Sequence, residues 1–274
     1  GETGAIRAAR AALHMWEEPC ISGKEGSGTV FFTGCTLRCV FCQNHEIAGS
    51  KVGKVISEER LAEIFLELQG KGANNINLVT PTHFVPQIIR ALQSAKKQGM
   101  YLPVVYNTGG YERVETLKML DGLVDIYLPD FKYLNTDHAK KYSMAEDYPE
   151  VAKAAIAEMV RQAGKPVFDE RGMMKRGVIV RHLLLPGCLA DGKRVVKYLH
   201  ETYGNRIYMS LMSQYTPLES LDAVKYPELN RKVPEYAYEK LVDYAISLGV
   251  MQAFIQEGDT AKESFIPPFT LEGV

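Results

Sequence analysis

Apolar runs and amphipathic stretches alternate along most of the chain. Runs rich in β-branched and aromatic residues predict strands at 29–32, 75–79, 102–106, 124–128, 178–185, 206–212 and 251–256. Between these runs, apolar residues recur at helical spacing, which predicts helices at 57–68, 84–98, 111–120, 193–202 and 234–248. Strict alternation of strand and helix is typical of parallel β/α units, which build either an open sheet or a barrel.

Two segments interrupt this alternation. Residues 135–177 predict two helices and a β-hairpin outside the main sheet. The alanine-rich residues 5–15 predict a short helix, and a glycine-rich turn follows at 23–28. We therefore expect an N-terminal extension at 1–27 and one domain at 28–274, since 274 residues with 46% hydrophobic composition can bury one large core.

The charge balance argues against two classes of partner. The chain has 32 basic and 33 acidic residues, so no basic field favours nucleic acid and no polybasic patch favours a membrane. No apolar run approaches the length of a transmembrane helix, and the first residues lack the apolar core of a signal peptide. We expect a cytoplasmic protein that binds neither nucleic acid nor a membrane.

Three of the five cysteines lie close together in the stretch FTGCTLRCVFCQN, residues 32–44. Cys35, Cys39 and Cys42 have the spacing C-x3-C-x2-C directly after a predicted strand, which indicates a metal site. A structural zinc site needs four ligands, and His45 is the only nearby candidate for the fourth. An iron-sulfur cluster held by three thiolates would leave one iron without a protein ligand, where chemistry can take place.

This cysteine loop resembles that of the radical S-adenosylmethionine superfamily, in the branch related to pyruvate formate-lyase activating enzyme. The resemblance implies an α/β fold, a partial (β/α)6 TIM-like barrel of parallel strands. It also implies a 4Fe-4S cluster on the three cysteines, with S-adenosylmethionine chelating the fourth iron. One electron, from a flavodoxin- or ferredoxin-type donor, then cleaves the cofactor to methionine and a 5′-deoxyadenosyl radical.

Within this superfamily the resemblance favours an activase that abstracts a glycine Cα hydrogen from a partner protein. Such an enzyme has a protein or peptide substrate and must admit a protein loop. Six visible β/α units are fewer than the eight of a closed barrel, so we expect an opening along one side, unless residues 256–274 close it. Radical modification of a peptide or small molecule is the alternative, and a zinc-stabilised binding module is the non-enzymatic one.

Functional residues in parallel β/α folds lie in the loops after the carboxyl ends of the strands. These loops carry the candidate cofactor contacts Thr80, Thr82, His83, Asn107, Thr108, Asp130, Lys132 and Gln214, and the predicted strand 178–185 carries a further one, Arg181. Residues 80–83 stand where enzymes of the resembled branch have a Gly-Gly-Glu type motif that holds the cofactor's amino group. Without that carboxylate, threonine hydroxyls and backbone carbonyls are the acceptors left for the ammonium hydrogen bonds.

The resemblance also implies roles for the later loops. The turn with Asn107 corresponds to one near the methionine or ribose groups, and Gln214 to a histidine near the adenosine. Lys132, two residues after Asp130, corresponds to a lysine that approaches the cofactor. The guanidinium of Arg181 suits the cofactor's carboxylate, because its paired donors match a carboxylate.

Several of these residues also have a purely structural interpretation. Asn107 is common in ordinary turns, and His83 stands near the start of a predicted helix. Asp130 and Lys132 would also form a salt bridge at the rim of the sheet. Outside the loop, Cys20 and Cys188 are isolated in sequence, so we expect ordinary buried or partly buried thiols.

Overall fold

A computed structural model describes residues 4–49, 52–256 and 266–274 of the chain. Within these ranges the strands are β1 (Ile6–His14), β2 (Ser27–Phe32), β3 (Lys54–Ile56), β4 (Ile76–Val79), β5 (Val104–Thr108), β6 (Ile126–Pro129), β7 (Val167–Phe168), β8 (Met174–Leu183), β9 (Tyr208–Met212) and β10 (Ala253–Ile255). The helices are α1 (Pro19–Ser22), α2 (His45–Ala48), α3 (Glu58–Gly70), α4 (Val85–Lys97), α5 (Val114–Lys118), α6 (Thr136–Ser143), α7 (Tyr148–Ala163), α8 (Leu189–Tyr203) and α9 (Glu235–Ser247).

The strands form one large, mostly parallel sheet in the order β10-β9-β8-β6-β5-β4-β2-β1-β3, and the short β7 pairs with β8. All neighbours from β2 through β10 along this path are parallel, and each connection between them contains a helix. The six β/α units predicted from the sequence are confirmed. Among the described residues no ladder joins β10 to β3, so the sheet is not closed into a complete barrel.

The helices cover the outside of this sheet with apolar faces. Ser57 accepts a hydrogen bond from the backbone N–H of Arg60 and so caps α3, which buries Leu61, Phe65 and Leu68. The hairpin predicted within residues 135–177 is formed by β7 and β8. No helix in the described parts of the chain combines the length and the apolar character that crossing a membrane requires.

The first strand corrects one expectation from the sequence. Residues 5–15 were expected to form a helix, yet β1 runs antiparallel to β2 along residues 8–14 and to β3 along residues 6–8. Its alanines are buried between neighbouring elements. The high helix propensity of alanine amounts to under about 1 kcal/mol per residue relative to ordinary residues, and the ladders on both edges outweigh it.

The end of the described chain lies along the outer edge of β1. The backbone N–H of Ala11 donates to Glu272 O at 2.8 Å, and that of Leu271 donates to Ala9 O at 3.2 Å. Arg10 adds a salt bridge to Glu272 at 2.7 Å. Part of the segment 256–274, considered above as a possible closure, therefore extends this edge, while residues 257–265 lie outside the described residues.

Two glycines with the same backbone geometry give a test of the packing around the strand ends. Gly110 has φ +79° and Gly122 has φ +77°, but a Cβ on Gly110 would overlap the carbonyl oxygen of Asp130, whereas Gly122 faces open space. We expect Gly122→Ala to cost about 1 kcal/mol of unfolding free energy, from the left-handed backbone alone. Gly110→Ala should cost about 1 to 3 kcal/mol more, because a backbone carbonyl must move.

Urea denaturation of the two variants beside the parent protein measures this difference. Equal losses for Gly110→Ala and Gly122→Ala would contradict the close approach of the loops after β5 and β6.

Candidate active site

The carboxyl ends of the parallel strands surround a cavity of about 720 Å³. Its lining includes Cys35, Cys39, Cys42, Thr80, Asn107, Thr108, Asp130, Lys132, Arg181 and Gln214. Pockets of roughly 300 to 1,000 Å³ are the usual size for small-molecule and cofactor sites. The cavity therefore unites all three cysteines with most of the cofactor contacts expected from the sequence.

The cysteine loop is held against the end of α6. The backbone N–H of Val40 donates to Tyr142 O at 2.9 Å, and the Cys39 Sγ lies 3.0 Å from the hydroxyl oxygen of Ser143. Phe41, only 5% exposed, packs edge-on against Tyr215 with ring centroids 6.5 Å apart. These contacts fix the loop from behind while its thiols face the cavity.

The three thiols line one cavity but do not converge on one point. Within the described ranges, no group of three or more His, Cys, Asp or Glu side chains is arranged to hold a single metal ion. His45 is exposed at the start of α2 and is not part of the cavity lining. A structural zinc site takes four ligands, whereas three thiolates can hold a multi-iron cluster in which each thiolate binds a different iron.

A network of charged side chains crosses the cavity wall. Arg181 donates to Asp130 Oδ1 at 3.0 Å and to Asn107 Oδ1 at 2.7 Å, and its guanidinium lies 3.4 Å from Glu17 Oε2. Glu17 also accepts from Asn77 Nδ2 at 2.9 Å. The guanidinium expected to meet the cofactor's carboxylate therefore already binds two carboxylates of the chain, and its contact with the cofactor stays a prediction.

The two carboxylates in this network differ in their surroundings. Burial opposes ionisation of Asp130, but the neighbouring Lys132 and Arg181 outweigh it and lower the pKa of that carboxyl. Burial raises the pKa of Glu17, although Arg181 and Asn77 favour its ionised form. The same carboxylates raise the pKa of Arg181. Because the guanidinium is 3.0 Å from Asp130 and 3.4 Å from Glu17, we take Asp130 as its main ionic partner. Glu17 is the more easily protonated of the two carboxylates.

Lys132 links this network to the cysteine loop. Its ammonium donates to Asp130 Oδ2 at 2.6 Å and lies 5.9 Å from the centroid of the Phe41 ring. The expected Asp130–Lys132 pair is thus formed, at the edge of the cavity. Burial opposes the charge, but Asp130 raises the pKa of the ammonium above its ordinary value, so that Lys132 is a fixed positive charge.

The loop after β4 contains an unusual backbone conformation. Thr80 lines the cavity with φ +56°, a left-handed conformation that is rare for a β-branched residue and often marks a functional site. Thr82 and His83 do not line the cavity. Thr82 donates to Glu112 Oε1 at 2.6 Å, and His83 Nε2 lies 2.7 Å from the carbonyl oxygen of Thr33.

Gln214 lies in the long connection between β9 and α9. Thr216, Leu218 and Lys232 of the same connection also line the cavity, as does Ile266 of the final segment. The Oε1 atom of Gln214 is buried and has no hydrogen-bond partner among the described residues. A buried acceptor at a cavity wall costs free energy unless a donor reaches it, so this atom is suited to a donor on a bound ligand.

Sequence reasoning missed three residues of this site. Glu17 and Trp16, from the segment between β1 and α1, line the cavity, and Glu112 lies buried behind its wall. Neither Glu17, which is followed by Glu18, nor Glu112 belongs to a motif with a diagnostic spacing. Only the pairing of β1 into the sheet, which the alanine-rich pattern concealed, brings Glu17 to the cavity.

Comparison with known families finds one match that covers more than half of the chain. The family model for the radical SAM superfamily matches residues 29–187 of the 274. An uncharacterised protein of Methanocaldococcus jannaschii is 29% identical over 243 residues, which are 85% of this chain and 65% of that protein. The chain thus spans slightly less than two thirds of the length of that relative.

Two further similarities concern a named enzyme and a solved structure. The pyruvate formate-lyase-activating enzyme of Clostridium pasteurianum is 26% identical over 216 residues, 73% of this chain and 79% of that enzyme. The crystal structure of methylornithine synthase superposes with a TM-score of 0.57 at 13% identity, covering 90% of this chain and 65% of that one. The second similarity supports the α/β barrel fold and nothing more specific.

The residues present fit the cofactors that this family binds. Three thiols that line one cavity match the three protein ligands of a 4Fe-4S cluster with one open iron. The cavity wall beside them offers the unpartnered acceptor of Gln214 and the strained backbone of Thr80. Cys35, Cys39 and Cys42 would hold the cluster, and the loops after β4, β5, β6, β8 and β9 would hold S-adenosylmethionine.

The cysteine assignment predicts a sharp contrast among the five thiols. Replacing Cys35, Cys39 or Cys42 by alanine should abolish stable cluster binding and all cleavage of S-adenosylmethionine, because each thiolate is one of only three protein ligands. Cys20→Ala and Cys188→Ala serve as controls and should retain both, since these thiols are buried and do not line the cavity. Iron and sulfide analysis after anaerobic reconstitution measures the difference, and a full cluster in Cys39→Ala would refute the assignment.

The charge network predicts a structural cost for losing Arg181. Removing one partner of a buried ion pair costs about 3 to 5 kcal/mol, because the remaining charges are left uncompensated. Arg181 and its two carboxylates are 8% to 20% exposed. We expect Arg181→Ala to lose about 3 kcal/mol of unfolding free energy in the cluster-free protein.

Arg90, in an exposed pair with Glu58, provides the matched control. Arg90→Ala should change the unfolding free energy by at most about 1 kcal/mol. An equally small change in unfolding free energy for Arg181→Ala, measured by urea denaturation, would contradict a stabilising role for its ion pairs with Asp130 and Glu17. The guanidinium would then be available to the cofactor.

Proposed function

The chain belongs to the radical S-adenosylmethionine superfamily, whose enzymes bind a 4Fe-4S cluster and S-adenosylmethionine, and we propose that it is an activase that abstracts a hydrogen atom from a glycine of a partner protein. The observation that carries the proposal is the cavity at the carboxyl ends of the strands, which Cys35, Cys39 and Cys42 all line. Residues 28–274 would form the catalytic unit, and residues 1–27 an extension that supplies Glu17.

The chain's own residues bind, orient and shield the reacting groups. When bound, the cluster supplies one electron that cleaves S-adenosylmethionine to methionine and a 5′-deoxyadenosyl radical. Lys132 and Asp130 present fixed charges at the edge of the cavity, and Asn107, Thr108 and Arg181 present polar groups along its wall. Apolar lining residues exclude water, which would otherwise allow side reactions of a reactive intermediate.

The choice of a protein substrate is supported by similarity in sequence. The activating enzyme of C. pasteurianum, which acts on pyruvate formate-lyase by its name, aligns with 73% of this chain. The sheet is not closed between β10 and β3 in the described part of the chain, which supports an opening along one side. We propose a flavodoxin- or ferredoxin-type protein as electron donor, and the cytoplasm as the compartment, because an iron with an open position is best preserved in a reducing environment.

A second candidate function is radical modification of a peptide or small molecule. The observation that favours it is the covering of one side of the cavity. Ile266 and Pro267 line the cavity, and the segment then continues to the edge of β1, where Phe269 packs against Phe31. Thr216 and Leu218, of the connection after β9, cover a further part. A more enclosed cavity suits a smaller substrate, which would use the same cofactors and the same residues.

The two functions predict different products in one experiment. The reduced enzyme is incubated with S-adenosylmethionine and with glycyl-radical proteins encoded beside it. For an activase we expect a glycine-centred doublet in the electron paramagnetic resonance spectrum, together with 5′-deoxyadenosine. Cys39→Ala is the control and should give neither.

The alternative outcome is equally specific. If 5′-deoxyadenosine forms, every such protein stays silent, and a peptide or metabolite changes mass instead, the activase proposal is refuted and the second function takes its place.

A further inference from the structure

A buried carboxylate lies behind the cofactor side of the cavity. Glu112 follows β5, is 2% exposed and does not line the cavity itself. It lies in the loop after β5 and faces both the end of β5 and the loop after β4. Five of the nine cofactor contacts expected from the sequence come from these two regions, Thr80, Thr82, His83, Asn107 and Thr108. Glu112 is not among the cluster ligands or the cofactor contacts that the sequence predicts.

Three hydroxyl groups converge on this carboxylate. Thr82 donates to Oε1 at 2.6 Å, Thr108 donates to the same oxygen, and Tyr106 donates to Oε2 at 3.3 Å. Thr82 belongs to the β4 loop, whereas Tyr106 and Thr108 belong to β5. Glu112 therefore ties the ends of two neighbouring strands together, next to the left-handed Thr80.

The charge of Glu112 has no counterion in the part of the chain that the structure describes. Its hydrogen-bond partners are neutral hydroxyls, and none of the ion pairs there includes it. Burial raises the pKa of Glu112 to about 7, although all three hydroxyls favour the ionised form. A buried carboxylate in this position is stabilised when a cation is placed nearby.

The hydrogen bonds also determine what the threonines can offer to a ligand. A hydroxyl has one hydrogen and two acceptor lone pairs. Because Thr108 gives its hydrogen to Glu112, its oxygen can only accept from other groups, and it already accepts from the backbone N–H of Gly110 at 3.4 Å. Thr108 lines the cavity, so its remaining lone pair is available to a donor there.

We propose that Glu112 is a positioning residue for the cofactor site. It holds Thr82 and Thr108 so that the loops after β4 and β5 present acceptors to the ammonium group of S-adenosylmethionine, and its charge acts on that group through Thr108. The carboxylate that the β4 loop lacks is thereby supplied from the β5 loop, one layer behind the wall. The inference rests on cofactor binding by this site and not on the identity of the substrate.

The first test measures the affinity for S-adenosylmethionine in the full chain with its cluster reconstituted. Glu112→Gln keeps the shape of the side chain but removes the charge, and we expect the dissociation constant to rise about tenfold, as for loss of a charge-assisted contact. Iron and sulfide content should be unchanged. The change that S-adenosylmethionine causes in the paramagnetic resonance spectrum of the reduced cluster should require correspondingly more cofactor.

A matched control comes from another buried carboxylate. Glu158 on α7 is 8% exposed and is held by Arg161 and Gln162, outside the cavity lining. Glu158→Gln should leave the dissociation constant within about twofold of the parent. An unchanged affinity in Glu112→Gln with a full cluster would overturn the proposal.

A double-mutant cycle tests whether Glu112 acts through Thr108. Thr108→Val should weaken binding about as much as Glu112→Gln, and the double variant should be no more than about twofold weaker than Thr108→Val alone. Losses that multiply to about a hundredfold would show independent roles and overturn the proposed relay. If Glu112→Gln fails to take up iron, Thr82→Val replaces it in the same cycle and should weaken binding without loss of the cluster.

An analogue of S-adenosylmethionine without the α-amino group tests whether Glu112 acts on the ammonium group. In the cofactor analogue whose α-amino group is replaced by hydrogen, Glu112→Gln should change the competition constant by less than about twofold. An equal loss for S-adenosylmethionine and for this analogue would place the effect away from the ammonium group and refute the assignment. Failure to find a glycyl radical would not affect these results, since every one of them is a binding measurement.

Discussion

A network of ion pairs and hydrogen bonds stabilises the buried charged groups around the cavity. Barrel interiors of this kind are ordinarily filled by packed branched side chains. Here Arg181 bridges Asp130 and Glu17, while Lys132 binds the other oxygen of Asp130. Two cations and two carboxylates thus meet in one network, and Asn107 joins it through the guanidinium. The neighbouring Glu18, also buried, adds a third carboxylate that acts electrostatically on Arg181. The space that the side chains leave open is the space available to the cofactors.

This network also explains why the N-terminal segment belongs to the catalytic architecture. β1 pairs along β2 and delivers the following residues beneath the strands, where Asn75 Nδ2 donates to the carbonyl of Ile21 at 2.8 Å. Glu17 then reaches Arg181 from that side. Glu17, which contacts Arg181, therefore comes from outside the β/α repeat, and its position depends on the pairing of β1 with β2.

The sequence was sufficient for the repeated part of the fold and for the cysteine loop, since both depend on local patterns. Alternating apolar runs specify parallel β/α units, and three thiols at C-x3-C-x2-C spacing specify a shared cavity wall. β1 could not be recognised, because its alanines have high helix propensity and only the neighbouring strands make it extended. Glu112 could not be recognised either, because its role depends on hydroxyls brought from two different loops.

The strand ends around the cavity follow from the repeated sequence pattern, whereas the segments that cover the cavity do not. The expected cofactor contacts lie at strand ends, whose relative positions are fixed by the parallel ladders, so a residue's place in the repeat locates it. The covering of the cavity comes instead from the connection after β9 and from residues 266–274, which have no periodic pattern. Gln43 Nε2 donates to the carbonyl of Thr216 at 3.2 Å and so joins that connection to the cysteine loop. Such connecting segments lie outside the repeated pattern, so the sequence pattern that locates the strand ends does not determine how they cover the cavity.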